Sequence, residues 1–212
     1  MNIHALYDAL FRLFRPRRLR TFYRVFEIGE KTQVLDLGGT LYWWRLAAEL
    51  GLPIPKVTIV NLSSAPPDLP PWIRWIRADA RSLPFRDGSF DVAFSNSLIE
   101  HLYSFDGQAR FALEVRRVAG RWWVQTLDFR FPIEPHYVAP IIHWLPLGVR
   151  QHMTRWFTPW GWIERPNPER CAEFARQIRI MRRSEMRRLF PGSQLLTERL
   201  LGLPKSIIAI QA

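Results

Sequence analysis

Gln33-Val34-Leu35-Asp36-Leu37-Gly38-Gly39-Thr40 is the stretch of sequence that decides the fold. An apolar run of strand length ends here in an acid and two glycines, and a helical pattern follows over residues 41–50. A strand, a glycine turn and a helix in this order open a parallel α/β sheet, whose ligands lie beyond the carboxyl ends of the strands. Asp36, Gly38 and Gly39 are therefore predicted to border a ligand site.

Downstream of this turn, apolar runs of strand length alternate with helical patterns. Such alternation predicts a parallel sheet that helices cover on both faces. The pattern then closes with a short helix and two strands, and no internal repeat is present. The predicted strands cover residues 57–62, 72–77, 90–95, 121–127, 194–200 and 206–211, and the predicted helices cover residues 107–118, 168–180 and 184–190.

The segment from residue 128 to residue 167 differs from the rest of the chain. Prolines interrupt any long periodicity there, and tryptophans supply large apolar surfaces. A loop-rich segment of this length inside a compact domain is usually functional. We interpret it as a lid without a second hydrophobic core, in which the tryptophans pack inside the lid. The tryptophans are Trp144, Trp156, Trp160 and Trp162.

The chain is strongly basic, with 30 Lys and Arg against 19 Asp and Glu and a formal net charge of +11. This charge favours anionic partners. One arginine cluster accompanies an amphipathic helix that starts at Ile3 and that Pro16 is expected to interrupt. Such a helix can pack on the core or lie on an anionic membrane surface, and we expect packing. A second cluster runs from Arg176 to Arg188.

Length and composition predict one folded domain. A chain of 212 residues suits one α/β core, and 48% hydrophobic residues is ordinary globular usage. No apolar run approaches the roughly 20 residues that span a bilayer. The N-terminus lacks the pattern of a signal peptide, and Cys171, the lone cysteine, can form no internal disulfide and is expected to be inert. We expect a cytoplasmic protein, with peripheral membrane contact as an open alternative.

Val34–Thr40 resembles the first motif of the class I S-adenosylmethionine-dependent methyltransferases, and two later segments follow in that family's order. Ala-Asp-Ala-Arg-Ser-Leu-Pro-Phe at residues 78–85 is similar to the loop after the third strand. Residues 90–102 are similar to the fourth strand and following turn of the small-molecule branch. The resemblance implies an α/β, Rossmann-like fold with a seven-stranded, mostly parallel sheet, a C-terminal antiparallel strand pair, and a Pro/Trp-rich cap insertion after strand 5.

The same resemblance implies one methyltransferase domain over residues 1–212. Residues 1–30 would form a basic helical segment, and residues 31–127 the cofactor-binding half. Residues 128–180 would form a substrate cap insertion, and residues 181–212 the closing helix and strand pair.

The resemblance also implies a site for S-adenosylmethionine. Asp36 would orient the methionine end of the cofactor, directly or through water, and Gly38 and Gly39 would let the chain pass close to it. Asp79 would accept a hydrogen bond from the adenine amino group. The other residues implied in cofactor binding are Asn61, Leu62, Ala80 and Ser95.

Two positions depart from the family's pattern. Asn61 stands where an acid usually binds the ribose hydroxyls, and an amide can make that bond without charge assistance. Thr40 replaces the usual second glycine. A nicotinamide-binding enzyme of the G-x-G-x-x-G type is disfavoured, because Thr40 and Trp43 occupy its second and third glycine positions.

Several side chains are candidates for the chemistry. Methyl transfer is an in-line displacement that needs a base only where the acceptor must lose a proton. His101 follows the fourth strand and is the first candidate base; Glu134 and His136, beyond the fifth strand, are further catalytic candidates. Tyr137 and His143 are candidates for binding the acceptor. The spacing of the Glu and His residues matches no compact metal motif, so no metal is expected.

The expected function is methyl transfer to a small-molecule, lipid or glycan acceptor, at oxygen, with an acceptor that can be anionic. Nucleic-acid methylation would explain the basic charge. Base amino-group methylation in this fold commonly uses Asn or Asp, two prolines and an aromatic residue after the fourth strand, where this chain reads Ser95-Asn96-Ser97-Leu98. A non-catalytic binding or scaffold module with the same fold is the other alternative.

Overall fold

A computed structural model describes residues 3–137 and 139–212, with side chains described from residue 14 onwards. The strands are β1 (Gln33–Leu37), β2 (Lys56–Asn61), β3 (Ile73–Arg77), β4 (Val92–Asn96), β5 (Trp122–Leu127), β6 (Ile133–Glu134), β7 (Ala139–Pro140), β8 (Gln194–Leu200) and β9 (Leu203–Gln211). The α-helices are α1 (Ile3–Phe26), α2 (Tyr42–Glu49), α3 (Phe105–Val118), α4 (Leu147–Phe157), α5 (Pro159–Glu164), α6 (Pro168–Gln177) and α7 (Arg183–Leu189). Short 3₁₀ helices cover Ile99–His101 and Ile142–Trp144.

Seven strands form one sheet in the order β3-β2-β1-β4-β5-β9-β8. β1 to β5 pair in parallel, whereas β9 runs antiparallel to both β5 and β8. The four last residues of β1 and all six of β5 are buried, as expected of central strands that are covered on both faces. The predicted α/β fold with its closing antiparallel strand pair is therefore confirmed.

Two hydrophobic cores flank the sheet. One packs α3 and α7 against one face, and the other packs α1 and α2 against the opposite face. In the second core, the rings of Phe22 and Phe94 lie 4.7 Å apart, and those of Phe22 and Trp123 lie 5.9 Å apart. α1 and α2 are therefore part of the domain's core.

The prediction that Pro16 interrupts the first helix is wrong, because α1 continues through Pro16 to Phe26. A proline inside a helix removes one backbone hydrogen bond. Downstream of it, α1 buries Leu19, Phe22 and Phe26 against the sheet, and this burial offsets that cost. The predicted amphipathic stripe before Phe14 lies outside the residues whose side chains are described.

The insertion after β5 differs from the predicted loop-rich lid. It contains α4, α5 and the small β6–β7 hairpin, and it forms a hydrophobic cluster of its own around Tyr137, Ile142 and Ile178. Three of its tryptophans are not core residues, because Trp144 is 46% exposed, Trp156 is 65% exposed and Trp162 is 61% exposed. Proline-rich sequence did not prevent helices here, since Pro159 occupies the first turn of α5, where a proline is tolerated.

The two ends of the insertion meet. Asp128 and Met181 form a parallel bridge, and the Phe129 amide donates a hydrogen bond of 3.2 Å to the Met181 carbonyl. The insertion therefore leaves the body of the domain and returns to it at one place.

Within the described part of the chain, no helix combines the length and the apolar character needed to cross a membrane.

Phe22→Ala is expected to lower the free energy of unfolding by about 3–5 kcal/mol, because it leaves a cavity between α1 and the sheet. Phe157→Ala is the matched control, since Phe157 is 62% exposed, and it should change stability by less than about 0.5 kcal/mol. Urea denaturation measures both. Equal losses for the two variants would contradict the packing of α1 described here.

Candidate active site

The turn after β1 leaves no space for side chains. Gly38 has φ of +74°, and a Cβ there would lie 2.7 Å from the Leu98 side chain. A Cβ on Gly39 would overlap the Asp36 carboxylate. Both glycines are therefore required by geometry, the first also by its left-handed backbone conformation.

Asp36 lies beneath this turn. Its carboxylate is fully buried, one oxygen accepts a hydrogen bond of 2.8 Å from Trp44 Nε1, and the other oxygen has no partner among the described residues. Burial raises the pKa of Asp36 to about 7, although the Trp44 bond acts in the opposite direction. Because Gly39 covers the carboxylate, Asp36 shapes the turn, and an incoming ligand would meet the turn's backbone first.

Asn61, at the end of β2, is bonded to the same turn. Its side-chain Nδ2 donates to the Gly39 carbonyl at 3.0 Å, and its Oδ1 accepts from the backbone amide and hydroxyl of Ser63 at 3.0 and 3.1 Å. Leu62 is 66% exposed, and its carbonyl accepts a hydrogen bond from Arg77 Nε. The amide of Asn61 would have to exchange one of these bonds to bind a ribose hydroxyl.

Asp79 follows β3 at the same edge of the sheet. Its carboxylate is 35% exposed and forms an ion pair of 2.6 Å with Arg81. Hydrogen bonds from Arg81 lower the pKa of Asp79 in spite of partial burial, so Asp79 is ionised at neutral pH. Ala80 is buried, and the Ser95 hydroxyl donates to the Leu37 carbonyl at 3.1 Å.

These residues fit S-adenosylmethionine in their arrangement. A turn that excludes side chains leaves its backbone open to a ligand, and the partly exposed Asp79 carboxylate offers an acceptor two strand ends away. The ligand would have to displace or share the internal bonds of Asn61 and the bonds that Arg81 donates to both carboxylate oxygens of Asp79.

The three catalytic candidates meet beyond the carboxyl ends of β4 and β5. The rings of His101 and His136 lie 4.8 Å apart and nearly perpendicular. Glu134 Oε1 lies 2.6 Å from His136 Nδ1, and Glu134 Oε2 accepts a hydrogen bond of 2.7 Å from the Tyr137 amide. A fully buried carboxylate thus fixes the orientation of one imidazole.

The two histidines differ in their electrostatics. Burial lowers the pKa of His101 and outweighs the negative charges of Glu100 and Glu134. Burial also acts to lower the pKa of His136, but the hydrogen bond and charge of Glu134 outweigh it, so the pKa of His136 is raised. His101 is the neutral member of the pair near pH 7.

Glu100 is a site residue that sequence reasoning missed. It is fully buried, Oε2 accepts a hydrogen bond of 2.8 Å from the Thr126 hydroxyl, and Oε1 has no partner among the described residues. A signal was present, because Glu100 directly precedes His101 in the segment after β4. Its charge raises the pKa of both histidines.

Arg18 was also missed as a single residue, because in the sequence it is one arginine of a cluster. It is 6% exposed and donates hydrogen bonds to Asn96 Oδ1 at 2.6 Å and to Gln125 Oε1 at 3.2 Å. It also pairs with Glu198. α1 is therefore tied to the carboxyl end of β4.

The two predicted acceptor-binding residues lie elsewhere in the cap. Tyr137 is fully buried in the cap's hydrophobic cluster, so its side chain supports the cap from inside. His143 is 6% exposed, and its Nε2 lies 3.0 Å from the Phe129 carbonyl. It borders a separate cavity that lies between the cap and the closing part of the chain.

A family model described as a methyltransferase domain matches residues 44–121 of this chain. These residues run from α2 to the start of β5. Among curated proteins, no sequence matches this chain.

Solved structures share the fold. The 1,6-didemethyltoxoflavin N1-methyltransferase of Burkholderia thailandensis, with bound 1,6-didemethyltoxoflavin and S-adenosylhomocysteine, aligns at a TM-score of 0.56 and 16% identity over 98% of this chain and 82% of that one. A Rhodobacter sphaeroides protein named for zinc-dependent alcohol dehydrogenases aligns at 0.57 and 14% identity, over 92% of this chain and 88% of that one. Phosphoethanolamine N-methyltransferase 2 of Haemonchus contortus aligns at 0.56 and 13% identity, over 85% of this chain and 38% of that one.

Asp36→Asn is expected to reduce the dependence of stability on pH. The pKa of Asp36 is about 7 in the folded state and near its ordinary value of about 4 in the unfolded chain. The folded state therefore binds a proton on Asp36 more tightly than the unfolded chain does. The stabilisation from this proton is fully present below the unfolded pKa and is lost as pH rises through about 7. From about pH 5 to about pH 8, the free energy of unfolding measured by urea denaturation should fall by at least about 1 kcal/mol less in the variant than in the wild type.

Asp106→Asn is the control for this measurement, since Asp106 is 72% exposed and should leave the pH dependence as in the wild type. If Asp36→Asn had the same pH dependence of stability as the wild type, folding would not raise the pKa of Asp36.

Proposed function

We propose that this chain is a class I S-adenosylmethionine-dependent methyltransferase and that it transfers the methyl group to a hydroxyl oxygen of a small-molecule, lipid or glycan acceptor. One observation supports the oxygen acceptor above the others. His101, Glu134 and His136, which come from the 3₁₀ helix after β4 and from the β6–β7 hairpin, meet beyond β4 and β5 with the two imidazole rings 4.8 Å apart. A hydroxyl must lose its proton on methylation, and an imidazole is suited to take it near neutral pH.

S-adenosylmethionine, when bound, supplies an electrophilic methyl group on a sulfonium. In this proposal the backbone of Gly38 and Gly39 borders its methionine end, and Asn61 faces the ribose. Asp79 accepts from the adenine amino group. Residues 31–127 thus bind the cofactor, residues 128–180 cap the acceptor, and residues 1–30 and 181–212 complete the domain.

His101 is the proposed general base. Its lowered pKa keeps the imidazole unprotonated near pH 7, so the ring can accept the hydroxyl proton as the oxygen attacks the methyl carbon. Glu134 acts on this base indirectly. It fixes His136 by a hydrogen bond, and its charge favours protonation of both rings.

Calorimetric titration with S-adenosylmethionine and S-adenosylhomocysteine tests the enzyme class. We expect dissociation constants in the micromolar range, about −8 kcal/mol. Asp79→Asn should weaken both by about tenfold or more, because it removes a charged hydrogen-bond acceptor.

Asp87→Asn is the matched control, since Asp87 is 82% exposed and paired with Arg117 away from the turn. It should bind both ligands as the wild type does. Absence of binding in the wild type would reject the methyltransferase proposal and favour a scaffold role. Equal affinity in Asp79→Asn would reject only the adenine assignment.

The base assignment is tested by turnover. S-adenosylhomocysteine release is measured against a panel of hydroxyl compounds, and His101→Asn should then reduce kcat by about 10²–10⁴-fold with the best acceptor. Glu134→Gln should shift the acidic limb of the pH profile to lower pH, because the Glu134 charge raises the pKa of both histidines.

Two controls accompany these variants. Cofactor affinity by calorimetry should be unchanged in both, and His152→Asn, on the exposed side of α4, should keep wild-type turnover. Full turnover of His101→Asn with cofactor bound would remove His101 from the mechanism. An unshifted limb in Glu134→Gln would remove the histidine pair from proton transfer.

A further inference from the structure

A second cavity lies between the cap and the closing part of the chain. Its volume is about 560 Å³, which is large enough for a small-molecule group. Its walls carry four arginines and one acid, whereas the rest of the lining is apolar or aromatic apart from His143. The charged residues are Arg150, Arg176, Arg179, Arg182 and Glu185.

The single acid does not neutralise this cavity. Glu185 is already paired with Arg179, which also donates to Gln108 Oε1 at 2.6 Å. Arg182 lies over the ring of Phe129, with its guanidinium carbon 4.1 Å from the ring centroid. Stacking of this kind orients a guanidinium and leaves its N–H groups available to an anion.

Arg150 is the deeper arginine of the cavity. One terminal nitrogen donates a hydrogen bond of 2.8 Å to the Ala175 carbonyl, and its Nε is buried without a hydrogen-bond partner among the described residues. An unsatisfied buried donor on a cation is costly unless a ligand completes it. Because Nε is closed off from solvent, an anion in the cavity would meet the terminal nitrogens of Arg150.

His143 carries a hydrogen-bond acceptor, whereas the arginines carry donors. Nε2 must carry the hydrogen, since its 3.0 Å neighbour is the Phe129 carbonyl, which can only accept. Nδ1 is therefore a bare acceptor, and it is buried without a partner among the described residues. Burial lowers the pKa of His143 and favours this neutral form. His143 therefore adds no positive charge to the cavity wall near neutral pH.

Backbone contacts join this cavity to the histidine pair. The amide of Arg179 donates a hydrogen bond of 2.8 Å to the carbonyl of Glu100, the residue before His101. Tyr103, two residues after His101, lines the cavity. The cavity wall and the proposed base are thus parts of the same short segment.

We propose that this cavity binds a carboxylate or phosphate group of the methyl acceptor, and so restricts the enzyme to anionic acceptors. The identification of the ligand as the methyl acceptor rests on the proposed function, but the anion site itself does not depend on methyl transfer. Arg150 and Arg182 bind the anion.

Anion-dependent thermal stabilisation tests the proposal. Melting temperature is followed as sodium phosphate or sodium acetate replaces sodium chloride at constant ionic strength, because a ligand of the folded state raises it by mass action. We expect at least one of the two anions to stabilise the wild type. Phosphate alone would identify a phosphate-bearing ligand, and acetate alone a carboxylate.

Arg182→Met and Arg150→Met are expected to lose most of this shift, with the apparent anion affinity reduced about tenfold or more, since each removes one charged hydrogen-bond donor. Arg182 is exposed, so its variant remains folded and informative even if Arg150→Met does not. Arg187→Met is the matched control on α7, because Arg187 is exposed and does not line the cavity. It should keep the wild-type shift.

No shift in the wild type beyond that in chloride would overturn the proposal, and so would an equal shift in all variants. Titration of the same proteins with S-adenosylmethionine separates the two proposals. Wild-type protein that binds the anion but not the cofactor would retain the anion site and reject the methyltransferase function. Loss of the anion shift in Arg182→Met with cofactor affinity intact supports both.

Discussion

The close approach of the Gly38–Gly39 turn to the Asp36 carboxylate is the constraint on which the rest of the site depends. A side chain at either glycine would collide with Leu98 or with the carboxylate itself. Trp44, on the following helix, completes the contact through its indole N–H. The turn, the first helix after it and the segment after β4 are therefore positioned together, and the carboxyl edge of the sheet acquires one fixed shape.

The catalytic candidates, in contrast, are fixed by buried carboxylates on loops. Glu134 uses both oxygens, one on His136 and one on the Tyr137 amide, and Glu100 bonds Thr126 on β5. Buried charges of this kind are stable only with partners. In this protein the Glu134 bond also orients the imidazole of His136, so a bond that stabilises the cap hairpin also sets the geometry of the candidate site.

The sheet was predicted well from the sequence because the spacing of apolar residues and the placement of glycines are local signals. β1 to β5 lie within a few residues of their predicted bounds, and the closing strand pair forms as expected. Tertiary burial decided the other cases. α1 passes through Pro16 because its later turns pack on the sheet, and the cap contains two helices, α4 and α5, and a small hydrophobic cluster that no periodicity indicated.

The site was predictable only in part for a related reason. His101, Glu134 and His136 were identified from residue type and from their positions after strands. The anion cavity was not, because its arginines come from α4, α6 and the loop after it, and nothing local shows that they face one space. Arg18 was hidden within a cluster in which Arg17, Arg20 and Arg24 are exposed.

The bridge between Asp128 and Met181 has an evolutionary consequence. Because the insertion departs and returns at neighbouring points, its length and content can vary without disturbing the strands on either side. Lineages sharing this scaffold could exchange the entire segment as a cassette and so acquire a new acceptor while they keep an unchanged cofactor half. Selection on specificity would then act on about fifty residues, and selection on chemistry on the remainder.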